Sequence, residues 1–145
     1  MSAPEYDEGN VFAKILRGEL PSHKIYEDDD AIGIMDIMPR GDGHVLVIPK
    51  APSRNLLDIG AHDLASLMLA VQKVARAVMR AFDADGVTIQ QFNEPAGGQV
   101  VFHTHVHVIP RFDGVALKAP SGTMADPEKL SDQAFRIRAV LGGQG

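Results

Sequence analysis

Phe102-His103-Thr104-His105-Val106-His107-Val108-Ile109-Pro110-Arg111 sets a histidine at every second position, and its reading decides how the rest of the chain is understood. In an extended strand successive side chains point to opposite faces, so His103, His105 and His107 share one face while Thr104, Val106 and Val108 share the other. The β-branched residues between the histidines favour a pleated strand, and Pro110 ends the run by withholding a ladder donor. The chain has six histidines in all; placing half of them here has no purpose in a purely structural strand.

Two chemistries can use such a row: a zinc site, or imidazoles acting as nucleophile and general acid-base. The Cα atoms of His103 and His107 would stand about 13 Å apart. Sharing one ion at roughly 2.0–2.1 Å would strain the strand. Neighbours at ~6.6 Å suit attack on a phosphorus by one ring while the next contacts a phosphoryl oxygen, so catalysis on a phosphate ester or amide fits better.

Immediately upstream, Val87-Thr88-Ile89-Gln90-Gln91-Phe92-Asn93 alternates as a strand, and Glu94-Pro95-Ala96-Gly97-Gly98-Gln99 forms a Gly-rich loop leading into the histidines. Glycines there let backbone N–H groups approach a ligand. Between Gly60 and Phe82, Leu64, Leu67, Met68, Val71, Val74, Ala75, Val78 and Phe82 recur at helical spacing. That stripe is wide enough for part of it to serve a subunit interface, and Asp83-Ala84-Asp85-Gly86 stops the helix.

Further out, His44-Val45-Leu46-Val47-Ile48-Pro49 reads as a buried central strand opened by an imidazole that could join the histidine row. Lys24–Glu27 and Ala31–Asp36 read as a hairpin about the acidic turn Asp28-Asp29-Asp30. Asp36 ends its strand beside Ile37-Met38-Pro39, an unusual place for a carboxylate. Asn10 caps a short helix over residues 11–17, closed by Gly18. Past Arg111 the chain is polar and Pro/Gly-rich through Gly122; a helix then starts at Asp126-Pro127-Glu128 with Leu130, Ala134, Ile137 and Leu141 on one face, and residues 142–145 form a frayed tail.

The 145 residues, 45% hydrophobic and 23% charged, suit one globular domain, with a core about 9–112 and a C-terminal extension over 113–145. The net charge of −5 argues against non-specific nucleic-acid or anionic-membrane binding. The absence of cysteine excludes disulfides, thiolate metal sites and a cysteine nucleophile. An acidic N-terminus without an apolar core and no run of ~20 apolar residues predict a cytoplasmic protein with neither signal peptide nor membrane span. Strand periods in the middle with helices at intervals predict an α+β fold on a largely antiparallel sheet of about five strands.

His103-Thr104-His105-Val106-His107-Val108 resembles the signature of the histidine triad (HIT) superfamily, in its Hint-like or bacterial branch. The resemblance runs from about Val11 to Arg111 and takes in Phe12-Ala13-Lys14-Ile15, Glu19-Leu20-Pro21, Tyr26-Glu27-Asp28, Asp36-Ile37 with Pro39, His44 to Lys50, and Asn93 to Gln99. It implies a HIT-like fold, a homodimer whose sheets join, and a bound purine nucleotide or nucleotidyl conjugate. The implied reaction cleaves the bond between the α-phosphate and its substituent, typically in nucleoside phosphoramidates, without cofactor or metal. Carried over by position, His105 is the nucleophile and forms a nucleotidyl-histidine intermediate. His107 contacts the phosphate and departing group, while His103 and His44 order the site and the tautomer of His105. Asp36 matches the ribose ligand; Val11, Phe12, Ile15, Leu20, Ile34 and Ile37 match the base slot; Asn93 and Gln99 match the polar groups on the phosphate side. One position departs: Val100 stands where much of that branch has Ser or Thr, so a hydroxyl donor for the leaving group is missing.

Three other readings are open: a dinucleoside polyphosphate hydrolase of the same mechanism, a nucleotide-binding regulatory dimer with vestigial activity, and a zinc protein. The nucleotidyl transferase branch is set aside, because its members are longer and place proline where this chain has Val106.

Overall fold

The computed structural model describes residues 5–119 and 123–143. Along the chain run α1 (Val11–Leu16), β1 (Lys24–Glu27), β2 (Ala31–Met35), β3 (Val45–Pro49), α2 (Ala61–Ala81), β4 (Gly86–Gln90), a 3₁₀ turn (Pro95–Gly97), β5 (Val106–Arg111) and α3 (Pro127–Gly143). The strands form one antiparallel five-stranded sheet in the order β1-β2-β3-β5-β4, the expected α+β architecture.

Alternation along the strands sends two apolar sets to opposite faces. Val45, Val47, Val106 and Val108 pack with Leu67, Val71, Val74 and Val78 of α2 and with Leu130, Ala134 and Ile137 of α3. On the other face Ile32, Ile34, Leu46 and Ile48 pack with Phe12 of α1. Full burial of each such side chain is worth about 1.5–3 kcal/mol. Met68 and Leu69 of α2 remain exposed.

Local signals account for most boundaries. Asn10 caps α1 as expected, its Oδ1 accepting from the Ala13 N–H at 2.9 Å. Gly43 needs to be glycine twice over: its φ is +77°, and a Cβ there would lie 2.6 Å from the Phe82 ring. α3 packs on α2 and β1, and the segment before it reaches the loop after β2, where the Ala125 N–H donates to Ile37 O at 2.9 Å. The expected polar stretch ending at Gly122 and the expected tail fall partly outside the described residues.

The histidine stretch corrects the simplest reading. The strand begins only at Val106, so His103 and His105 precede it, and it runs through Pro110 to Arg111. β3 pairs Val45 with Val108, Leu46 with His107 and Val47 with Val106; continuing that register would set Thr104 opposite Pro49, which has no N–H to give. Residues 103–104 bond instead to the chain leaving β3: the Thr104 N–H donates to Ser53 O at 2.9 Å, and the Ser53 and Thr104 hydroxyls share a bond at 2.5 Å. Pro110 is tolerated because β3 pairing has ended at Val108, leaving β4 as its neighbour.

Candidate functional site

Register builds the floor of the site. Ile34 pairs with Leu46, Leu46 with His107, and His107 with Gln90, so one row crosses four strands on the face away from α2. At its apolar end, the Phe12 ring meets the His105 ring edge-on at 4.8 Å. The His105 and His107 rings lie 5.1 Å apart, and Phe92 touches His107 at 5.5 Å.

The protons can be assigned from partners whose roles are fixed, because a backbone N–H only donates and a carbonyl only accepts. The Arg40 N–H donates to His44 Nδ1 at 3.0 Å, so the His44 proton sits on Nε2. That Nε2–H faces His107 Nδ1 at 2.9 Å, which puts the His107 proton on its own Nε2. His105 Nδ1–H donates to His103 O at 2.6 Å, leaving His105 Nε2 with a free lone pair. His103 Nε2–H donates to Pro49 O at 2.8 Å, and its Nδ1 accepts from the Tyr6 hydroxyl.

Electrostatics keep these rings neutral. Burial pushes His44 down to about 3, with the His107 ring and the Arg40 charge adding to the effect. Burial likewise takes His107 to about 4, helped by His105 and Arg40. His105 and His103 are lowered by burial, against the raising effect of their carbonyl bonds. Asp36 is raised, because burial outweighs the Met38 N–H bonded to its Oδ1 at 2.9 Å. Among the described residues no hydrogen bond reaches Asp36 Oδ2; His44 Nε2 lies 3.4 Å away.

The structure thus brings together His105, His107, His44, Asp36, Phe12 and the row through Ile34. Ile15 packs beside Phe12, while Val11, Leu20 and Ile37 are exposed outside that cluster. His103 turns its ring away from His105 and serves it through its backbone carbonyl, not its imidazole. Gln99 is turned inward: Oε1 accepts from Asn55 Nδ2 and the Glu94 N–H, and Nε2 donates to the Arg54 and Val101 carbonyls. All its polar capacity is spent holding the loop, so it offers the phosphate side nothing. Asn93 is bonded to Leu56 N–H and Gln91 through Oδ1, and donates to Gln91 Oε1. Val100 is 83% exposed.

Sequence reasoning missed Tyr6, Arg40, Gln90 and Phe92. Only the strand register could have pointed to Gln90, and nothing in the sequence tied Tyr6 to His103. Glu94 also escaped notice. It takes φ +66° and ψ 160°, backbone territory that glycine tolerates best. Arg54 grips its carboxylate at 2.7 and 3.0 Å and Asn55 adds a third bond at 2.6 Å, while the Arg54 guanidinium stacks on Phe102 at 4.2 Å.

Asp36, His44 and His107 hold ligand atoms within 4.8 Å of one another, as do half-buried Asp30 and Asp63 with exposed His62. The first group does not fit a divalent ion as it stands. Its His44 nitrogen carries the proton that a metal would have to displace, since Nδ1 is held as acceptor by the Arg40 N–H, and the Arg40 cation stands close by.

The chain is similar to known proteins over most of its length. A family model described as "HIT domain" matches residues 17–114. The crystal structure of a Hit-like protein involved in cell-cycle regulation from Bartonella henselae, with an unknown ligand, is 51% identical, covers 94% of this chain and 99% of that one, and superposes with a TM-score of 0.88. A Zn-bound histidine triad family protein from Mycobacterium smegmatis is 36% identical over 94% of this chain and 95% of its own, with a TM-score of 0.83. Adenylylsulfatase HINT3 of Arabidopsis thaliana is 36% identical over 127 residues, 88% of this chain; the match spans 64% of that protein, less than two thirds of its length.

Proposed function

This chain belongs to the histidine triad (HIT) family, and from that premise we propose that it is a nucleotide hydrolase cleaving purine nucleoside phosphoramidates or related nucleotidyl conjugates at the α-phosphate. The observation that carries the proposal is the free Nε2 lone pair of His105, fixed by the bond from its Nδ1–H to His103 O and set beside the apolar Phe12.

In the proposed reaction His105 Nε2 attacks the α-phosphorus, a P–N bond forms, and the leaving group departs with the pair of the broken bond. Water then cleaves the P–N bond and releases the nucleoside monophosphate. His107 Nε2–H, aimed by His44, donates to a phosphoryl oxygen or to the departing atom. Asp36 Oδ2 accepts from the ribose hydroxyls, which relieves a half-buried carboxylate short of donors. The base lies along Phe12, Ile15 and Ile34, with Val11, Leu20 and Ile37 as a rim; such apolar walls discriminate weakly among purines.

The proposed enzyme is a cytoplasmic homodimer. Edge strand β4, with Ile89 exposed, and the exposed Met68 and Leu69 of α2 support a partner on that side. Quenching turnover in alkali, which preserves a P–N bond, and mapping the adduct by mass spectrometry tests the mechanism: a nucleotidyl group on His105 is expected. Monophosphate released with no adduct at any quench time would rule the intermediate out.

A further inference from the structure

Arg40 belongs to the loop between β2 and β3, and four hydrogen bonds hold it in place. Its backbone N–H donates to His44 Nδ1 at 3.0 Å. Its side-chain Nε donates to Lys118 O at 2.8 Å, while the Lys118 N–H returns a bond to Arg40 O at 2.8 Å. The remaining end of the guanidinium reaches Gln90 Oε1 at 3.5 Å, and Gln90 is the β4 residue opposite His107. The guanidinium therefore stands past His107, away from the Phe12 end of the row. It is half-buried, and among the described residues no carboxylate pairs with it. That is unexpected in a chain of net charge −5, since a partly desolvated guanidinium ordinarily finds an acceptor anion.

We propose that Arg40 forms an anion subsite for the leaving group, so that the preferred substrates are nucleotidyl anhydrides whose departing part is itself an anion, such as a sulfate, phosphate or carboxylate. The inference rests on the hydrolase reading above. With the nucleoside along Phe12 and Ile34, the group beyond the α-phosphorus points across His107 toward Gln90 and Arg40. Attack by His105 Nε2 forms the P–N bond as the P–O bond to the leaving group breaks, and the departing oxygen keeps the bonding pair. A group that is stable as an anion at neutral pH leaves without a proton, so what it needs is the fixed positive charge that Arg40 supplies. This suits a chain with Val100 where a hydroxyl donor would otherwise serve an amine. The lowering of His44 and His107 by the Arg40 charge agrees with its closeness to both rings.

The test compares wild type, Arg40→Gln and Arg40→Lys on adenosine 5′-phosphosulfate and adenosine 5′-phosphoramidate. Arg40→Gln is expected to lose roughly 10- to 100-fold more kcat/KM on the phosphosulfate than on the phosphoramidate, with Arg40→Lys recovering part of the difference. Equal losses on both substrates, or no loss on either, would overturn the proposal. Binding supplies a reading independent of turnover: on the His105→Ala background, Arg40→Gln should weaken ADP by a larger factor than AMP, and equal weakening would again overturn it. If the wild type cleaves neither substrate, the hydrolase reading fails, and the ADP-to-AMP comparison alone decides whether Arg40 holds an anion.

Discussion

His44 Nε2 stands 2.9 Å from His107 Nδ1, and through that contact a backbone amide determines which nitrogen of His107 faces outward with a proton. The Arg40 N–H fixes His44, and His44 fixes His107. His105 is set in the opposite sense by a carbonyl. Two rings 5.1 Å apart thus carry unlike Nε2 atoms, a lone pair on His105 and an N–H on His107, without either ring being charged.

Removing the relay should show this. His44→Ala strips His107 Nδ1 of its donor and leaves the Arg40 N–H without an acceptor, costing about 1–3 kcal/mol of stability. On folded protein kcat should fall about tenfold or more with KM changing less. A variant that loses stability but keeps kcat would show the relay to be structural only.

The depressed imidazoles predict an acid-tolerant enzyme. Folded-state values below the free value of 6.5, about 3 for His44 and about 4 for His107, keep both rings neutral as pH falls. The acid limb of kcat/KM, which reports the free enzyme, should therefore lie below 6.5. Stability should move the other way: below 6.5 the unfolded chain takes up protons that the native rings refuse, so stability declines from about 6.5 toward 4. A rate profile half-lost at or above 6.5 would contradict the assignment.

Among the described residues no hydrogen bond reaches Asp36 Oδ2, and the Asp36 pKa is raised by burial. Asp36→Asn should raise KM for ribonucleotide substrates by roughly 10- to 100-fold, the worth of charged hydrogen bonds, and should erase discrimination against 2′-deoxy analogues. Retained discrimination would place the ribose elsewhere.

Val100→Ser restores the hydroxyl that this chain lacks and should raise turnover of amine-leaving substrates, within the ~10²–10⁴-fold span of general-acid assistance. Unchanged or lower rates would show that position 100, which is exposed, does not meet the leaving group.

Much of this is legible in the sequence. The hairpin, the apolar β3 run, the α2 stripe and the Asn10 cap are local patterns, and each element formed close to its expected bounds. The histidine alternation was right for His107 but overextended to His103 and His105, because Pro49, remote in sequence, decides where the β3–β5 ladder stops. Gln99 looked like a ligand because polarity in a loop cannot reveal that Asn55, Glu94, Arg54 and Val101 already satisfy it. Arg40 and Tyr6 depend on contacts across long stretches of chain, Arg40 with Lys118 and Tyr6 with His103, which no sequence period encodes.

The most direct test is AMP release from adenosine 5′-phosphoramidate by wild type and His105→Ala, each with and without chelator. Release by the wild type alone, unaffected by chelator, is predicted. Release that chelator abolishes, or that survives in His105→Ala, would contradict a metal-free histidine nucleophile.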